Sequence, residues 1–439
     1  AWVRQCTRID EALRYERGDP AVVLGLADTG VSLAHIELAT QLRAGFDSVD
    51  LDPETVGGVT LVGDYRRAGE RPQDEVGHGS GCAGIIAALG KGIQNSVDLA
   101  IRQANEAKTI PGWTLELAAE DDQATPDVGK NAATKLAADK DVVGVVGTLN
   151  SSVAQSVQPV LAAANIVQVS PANTNPSLTQ GADFATAPKR TYPTYFRTCT
   201  TDSVQGPFAA RYLFETAGIK EVATVHDKKT YGQGLVEAFT AEYEKLGGKI
   251  VAAETINPDD DKYDAVISKI KPSNPKTVYY GGEYPQAGPF SQQMKAAGLN
   301  VPLMGGDGIY SGEFIKLAGA TAEGDLATSV GAPTDTLEAA KDFIAAYEAA
   351  GFAEPYEAYG AYAFDAANAI IQALKVSLAS ADSAEAARQA TVDAMANVSF
   401  DGVTGAVAFD EFGDTTSRVL TVYGVKGGKW EAVNTSEFK

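Results

Sequence analysis

Between Asp141 and Pro176 the chain reads DVVGVVGTLNSSVAQSVQPVLAAANIVQVSPANTNP, a βαβ pattern with polar residues where its strands should end. Val142, Val143, Val145 and Val146 form a β-branched run of the kind a buried parallel strand needs. The run stops at Gly147, and Asn150-Ser151-Ser152 opens a helical pattern through Val153, Val157, Val160 and Leu161. A second strand over Ile166–Val169 ends in Ser170-Pro171-Ala172-Asn173-Thr174. In open α/β sheets, ligands bind beyond the carboxyl ends of strands, often with an anion at a helix N-terminus. Two hydroxyl-rich strand ends side by side therefore suggest a site for a small carboxylate. Plain N-capping by the same Ser and Thr residues is the alternative.

The composition bounds what such a site can serve. The chain has 439 residues, enough for two or three domains with real cores. Apolar residues make up 44% and charged residues 21%, the balance of an ordinary globular protein. A formal net charge of −21 argues against nucleic acid or an anionic membrane as partner. No run approaches the length of a membrane span, and no signal peptide is visible at Ala1. Cys6, Cys82 and Cys199 are too scattered for a disulfide framework, and His35, His78 and His226 form no metal-ligand cluster, so no cofactor is expected.

Upstream, Ala21–Ala27 (AVVLGLA) is a buried-strand pattern running into Asp28-Thr29-Gly30-Val31, and Gly77-His78-Gly79-Ser80-Gly81-Cys82-Ala83-Gly84 leads into a helix of small residues. An Asp at a strand end and a His at the start of a packed helix are two members of a nucleophilic triad. These two motifs resemble those around the catalytic Asp and His of the subtilisin-like serine proteases. The family's Gly-Thr-Ser-Met-Ala nucleophile motif occurs nowhere downstream. Without it His78 has no alkoxide to generate. Asp28 and His78 read as relics, and a subtilisin-like endopeptidase, inactive here as a fragment, is the second functional reading.

From Lys91 onward α/β alternation takes over. Gly92–Asn105 is helical, with Ile93, Val97, Ala100, Ile101 and Ala104 on one face. Thr114–Leu117 reads as a strand, and beyond the organising unit further strands are expected over Glu221–Val225, Lys249–Glu254, Lys276–Tyr280 and Pro302–Met304. Their ends carry groups able to hold a zwitterion. Ser151 and Thr174 offer donors to a carboxylate, and Asp307 and Glu283 offer carboxylates to an ammonium. Tyr231, Tyr284, Tyr356 and Tyr359 are candidates to wall an apolar side chain. For each a blander role as turn or core residue stays open.

Residues 91–439 resemble the branched-chain amino-acid (Leu/Ile/Val-type) substrate-binding proteins of bacterial ABC transporters. The matching stretches are Leu149-Asn150-Ser151-Ser152, Ser170–Pro176, Gln205-Gly206-Pro207, His226-Asp227-Lys228, Tyr231-Gly232-Gln233-Gly234, Tyr279-Tyr280-Gly281-Gly282 and Gly305-Gly306-Asp307-Gly308. The resemblance implies the two-lobe periplasmic-binding-protein type I fold, with parallel sheets flanked by helices and three hinge crossovers. Lobe 1 would be 91–200 plus 332–405, and lobe 2 would be 201–331 plus 406–439.

The resemblance also implies a non-enzymatic role, capture of an amino acid between the lobes and delivery to a membrane permease. Such a protein is expected to be a monomer in an exported compartment, periplasmic or extracellular, with a processed lipoprotein signal as one means of anchoring. Carried over by position, Leu149, Ser151, Ser152 and Thr174 fall at the ligand, Ser151 and Thr174 on its carboxylate. Asn173 would offer its backbone carbonyl to the ammonium, Asp307 its carboxylate, and Tyr231 would close over the ligand. Glu283 stands where some relatives have an aromatic residue, which opens the preference to polar or larger side chains. Ala124 and Asn150 occupy the places of the family's common disulfide.

Family members begin with a strand that here is replaced by the subtilisin-like piece, residues 1–88, with the seam inside Ala87–Lys91. Either those residues are an appendage and the first lobe lacks a strand, or Val22–Ala27 takes its place and residues 78–107 form one long helix. The second reading avoids unpaired backbone groups in the sheet.

Overall fold

The computed structural model describes residues 55–56, 59–60 and 78–439, with side chains from Leu89 onward. Asp28 and Val22–Ala27 lie outside the described residues. Two short antiparallel strands, β1 (Thr55–Val56) and β2 (Val59–Thr60), pair with each other. A single helix then runs without interruption from His78 to Glu106, so its first residue is His78. Val97, Leu99, Ala100 and Ala104 on this helix are buried against Phe343, Tyr347, Phe364 and Ile371.

The sheets follow from the pattern of apolar runs. In the first lobe β3 (Gly144–Val146), β4 (Val167–Ser170) and β5 (Tyr195–Arg197) lie parallel in that order. Every residue of β4 and β5 is buried, as expected for parallel strands covered on both faces. Helix Gly360–Ser377 packs on this sheet, with Ala366, Ala369 and Ile370 meeting Val167, Val169 and Phe196.

The expected strand over Thr114–Leu117 is a correction: those residues join no ladder. Instead the Asn105 carboxamide satisfies Leu115, accepting from its N–H at 2.9 Å and donating to its carbonyl at 2.8 Å. A side chain here does what a neighbouring strand does elsewhere.

The second lobe holds seven strands. In chain order these are β6 (Glu221–His226), β7 (Lys249–Thr255), β8 (Thr277–Gly281), β9 (Leu303–Gly305), β10 (Leu326–Val330), β13 (Val419–Lys426) and β14 (Lys429–Glu437). Their spatial order is β14-β13-β10-β9-β8-β6-β7. The strands from β6 to β10 are mutually parallel, and β13 and β14 run antiparallel to close one side. Phe239 stacks on Tyr279 with ring centroids 3.7 Å apart, inside a core that includes Leu235, Met304 and Val422. The hairpin β11 (Ser399–Gly402) and β12 (Gly405–Ala408) is tied to the first lobe, because Asp365 accepts from the N–H groups of Val403 and Thr404 at 2.9 Å each.

Among the described residues three segments cross between the lobes and are bonded together. The first leaves β5, the second leaves β10 and the third joins β12 to β13. Arg197 N–H donates to the Gly413 carbonyl at 3.0 Å, and Gly331 N–H to that of Val419 at 2.8 Å. The Thr198 hydroxyl donates to the Tyr362 carbonyl, and the Tyr362 hydroxyl to that of Val330.

Candidate functional site

The polar segments of interest follow the C-terminal ends of β3, β4, β6, β8 and β9, the edge at which open α/β sheets bind ligands. Helix Ser151–Ala163 begins after β3, and its N-cap residue Asn150 makes no side-chain cap. The Asn150 amide instead reaches across the cleft to a Glu283 carboxylate oxygen. Ser151 is buried, and its hydroxyl has no hydrogen-bond partner in the structure. The buried hydroxyl of Thr174 faces the Asp202 carboxyl. Neither is spent on capping. Buried polar groups without partners carry a desolvation cost that a ligand's acceptor can offset.

Asp307 faces them from the other lobe. It is 2% exposed, and its Oδ1 accepts from Tyr231 Oη at 2.8 Å and Gln205 Nε2 at 2.9 Å. Its Oδ2 accepts from Tyr359 Oη at 2.9 Å, a bond that spans the cleft, since Tyr359 precedes helix Gly360–Ser377 of the first lobe. Its own N–H donates to Gln205 Oε1. All these partners are neutral, and no ion pair to Asp307 exists among the described residues. Burial pushes its carboxyl above the usual carboxylate range, opposed by the bonds from Gln205, Tyr231 and Tyr359. A buried carboxylate served by neutral donors lacks only a counter-charge. Glycine makes the close packing possible: a Cβ on Gly308 would stand 2.8 Å from Tyr231 Cε1.

Two further carboxyls border this region. Burial, with Asp307's charge second, pushes Asp202 up to about 8, opposed by the side chains of Thr174 and Gln205, which face its carboxyl. Burial, with Glu283's charge second, pushes Asp227 up to about 6. Glu283 is itself paired with Lys229 at 3.2 Å. The lobes also touch through Asn175 Nδ2 on the Thr230 carbonyl at 2.9 Å and Thr230 Oγ1 on Gln155 Oε1 at 3.1 Å.

The structure therefore joins Tyr231 to Asp307 directly, and links Leu149 to Asn173 through Asn173 Nδ2 on the Leu149 carbonyl at 2.7 Å. Ser152 is half-buried beside Ser151. Asn173 is a correction: its carbonyl already accepts from Arg197 Nη1 at 2.6 Å and Cys199 Sγ at 3.3 Å, which leaves it no lone pair for an ammonium. Tyr356 is a second correction. It packs with Phe343 and Tyr347 in the first-lobe core and walls no cleft. Sequence reading gave no role to Gln205, Asp202 or Arg197. The signal for Arg197 was a lone cation inside the otherwise uncharged strand stretch Tyr195–Thr200, which demands a buried partner. Among the described residues no group of three or more His, Cys, Asp or Glu could hold a metal ion.

Two lobes around a polar cleft, joined by three crossings, define a binding protein that closes on a small solute. A profile of the periplasmic binding protein family matches residues 75–429, and the chain belongs to that family. The match includes His78. The chain is 34% identical over 356 residues to the Leu/Ile/Val-binding protein homolog 1 of Brucella melitensis, covering 81% of this chain and 90% of the relative. Among solved structures it is similar to the branched-chain amino acid transporter substrate-binding protein LivJ of Streptococcus pneumoniae, determined with isoleucine, at a TM-score of 0.71 and 27% identity. That likeness covers 80% of this chain and 96% of LivJ. A solute-binding protein of R. palustris in complex with benzoate shares the fold at a TM-score of 0.69 and 21% identity, over 80% of this chain and 92% of that one.

Proposed function

We propose that this chain captures an amino acid of the branched-chain type between its lobes and delivers it to an ABC permease, without catalysing a reaction. The observation that carries the reading is Asp307, a buried carboxylate wired to Tyr231, Tyr359 and Gln205 with no ion-pair partner among the described residues. An α-ammonium supplies the missing charge, and the unpartnered hydroxyl of Ser151, with that of Thr174, takes the α-carboxylate. Glu283, bonded to Lys229 and Asn150, stands at the cleft and extends the range to polar side chains. The Brucella relative and LivJ support the branched-chain preference by name.

The same reading assigns residues 91–200 plus 332–405 to one lobe and 201–331 plus 406–439 to the other, except that residues 406–408 complete β12 and stay with the first lobe. It places the protein as a monomer in an exported compartment. It treats the Asp28 and His78 motifs as a subtilisin-like remnant without a nucleophile, carried on residues 1–88. Thermal unfolding with leucine, isoleucine, valine and a set of polar and aromatic amino acids tests the reading. A ligand that binds only the native state raises the melting temperature in proportion to the logarithm of its concentration. At least one of the three aliphatic amino acids is expected to do so at micromolar concentration. No stabilisation by any member of the set overturns the assignment.

A further inference from the structure

The loop that bears Thr174 is held entirely from behind. Arg197 Nη1 donates to the carbonyl of Asn173 at 2.6 Å and to that of Asn175 at 3.0 Å. The carbonyl between them, that of Thr174, accepts from the Asp202 N–H at 2.8 Å. Three successive peptide oxygens are thus fixed by groups from residues 197–202, the segment that leaves β5 and crosses to the second lobe. The Thr174 hydroxyl takes no part in this and lies beside the Asp202 carboxyl at the cleft.

Arg197 is wholly buried, and its Nε and Nη2 are engaged as well. Nε donates to Asp414 Oδ1 at 2.6 Å, and Nη2 to Thr179 Oγ1. The second oxygen of Asp414 accepts from Gln180 Nε2 at 2.8 Å and from Thr179 Oγ1 at 3.1 Å. Asp414 lies on the third crossing segment, so this ion pair bolts two crossings to one binding loop. Only a guanidinium has enough donors in a fixed fork to hold two carbonyls and a carboxylate together.

We propose that Arg197, held in place by Asp414, is a positioning residue for the ligand's carboxylate. It fixes the Asn173–Asn175 backbone so that Thr174 presents its hydroxyl to the cleft, and it locks that loop to the hinge. The inference rests on the amino-acid reading above.

The test is calorimetric titration with leucine and with leucinamide, which lacks the carboxylate, on the wild type, Thr174→Ala, Arg197→Lys, Asp414→Asn and Arg197→Lys/Thr174→Ala. Arg197→Lys and Asp414→Asn are each expected to weaken leucine by roughly tenfold or more while changing leucinamide little, as loss of a charge-assisted hydrogen bond does. Adding Thr174→Ala to Arg197→Lys is expected to cost little beyond Arg197→Lys alone, because the two act through one contact. If Thr174→Ala weakens leucine but Arg197→Lys and Asp414→Asn lower only the melting temperature and leave the leucine-to-leucinamide ratio intact, the positioning role is refuted and the amino-acid reading stands. A wild type that binds neither leucine nor any other zwitterion overturns both. Should Arg197→Lys fail to fold, Asp414→Asn, which keeps the shape of the side chain, decides the question alone.

Discussion

The two halves of the candidate site solve opposite problems. On the first lobe, the backbone of Asn173–Asn175 is pinned by Arg197 and Asp202, the Ser151 hydroxyl is left free, and that of Thr174 lies beside the Asp202 carboxyl. On the second lobe, Asp307 is surrounded by donors and wants only a charge. One half offers neutral donors to an anion, the other a buried anion to a cation. Only a zwitterion satisfies both at once, so neither half alone explains the arrangement.

Removing the charge is the severest way to break this pairing. Asp307→Ala is expected to weaken amino-acid binding by about 2–5 kcal/mol, the range for truncating one partner of a desolvated charge pair. Calorimetry reads the loss directly, and unchanged affinity would take Asp307 out of the site. On the opposite half, Ser151→Ala and Thr174→Ala should each cost roughly 1.5–3 kcal/mol, the usual worth of a hydrogen bond to a charged group. A deaminated ligand should feel these two substitutions as much as an amino acid does. Tyr359→Phe removes one of the neutral donors to Asp307 and sharpens the comparison. Its effect should lie at the low end of the charged range, about 1.5 kcal/mol, because the Asp307 carboxylate keeps Tyr231 and Gln205. Smallest of all is Glu283→Gln. The pair with Lys229 is partly solvated, with side chains 18% and 24% exposed, so affinity for leucine should change by under about 1 kcal/mol. Selectivity between aliphatic and polar amino acids is the more sensitive readout there.

The buried carboxyl between the halves makes a separate prediction on stability. Asp202 is raised to about 8 in the folded state by burial and by Asp307, whereas an unfolded Asp titrates near about 4. Between those values the folded chain holds a proton that the unfolded chain has released. Its contribution to stability therefore falls as pH rises from about 4 to about 8 and is constant outside that window. Asp202→Asn should flatten this part of the stability–pH curve and raise the melting temperature relative to the wild type at pH 8. Parallel curves for the two proteins, measured by thermal unfolding, would show that Asp202 does not titrate there.

Much of this was legible in the chain, and the failures share a cause. The strands β3, β4, β6, β8 and β9 announced themselves because short apolar runs, β-branched or aromatic in all but β9, ended abruptly in Gly, Ser or Asp. Tyr231 and Asp307 were legible for the same reason, since strand ends in successive βα units converge on one edge. Thr114–Leu117 was misread because alternation describes a residue's faces, whereas a strand requires a partner, and here Asn105 replaces one. The direction of the Asn173 carbonyl depends on Arg197, whose side chain arrives from the next strand. No local pattern encodes that. Tyr356 was drawn into the core by Phe343 and Tyr347, although Tyr359, three residues on, faces the cleft; which side of that turn each ring takes is set by packing.

The most direct measurement of the central claim compares leucine with 4-methylpentanoate, the same molecule without its ammonium, by calorimetric titration of the wild type. If Asp307 awaits a cation, leucine should bind at least about 100-fold more tightly, equivalent to roughly 2.7 kcal/mol. Equal affinity, or tighter binding of the simple acid, would contradict the account and mark the cleft as a site for carboxylates without an ammonium.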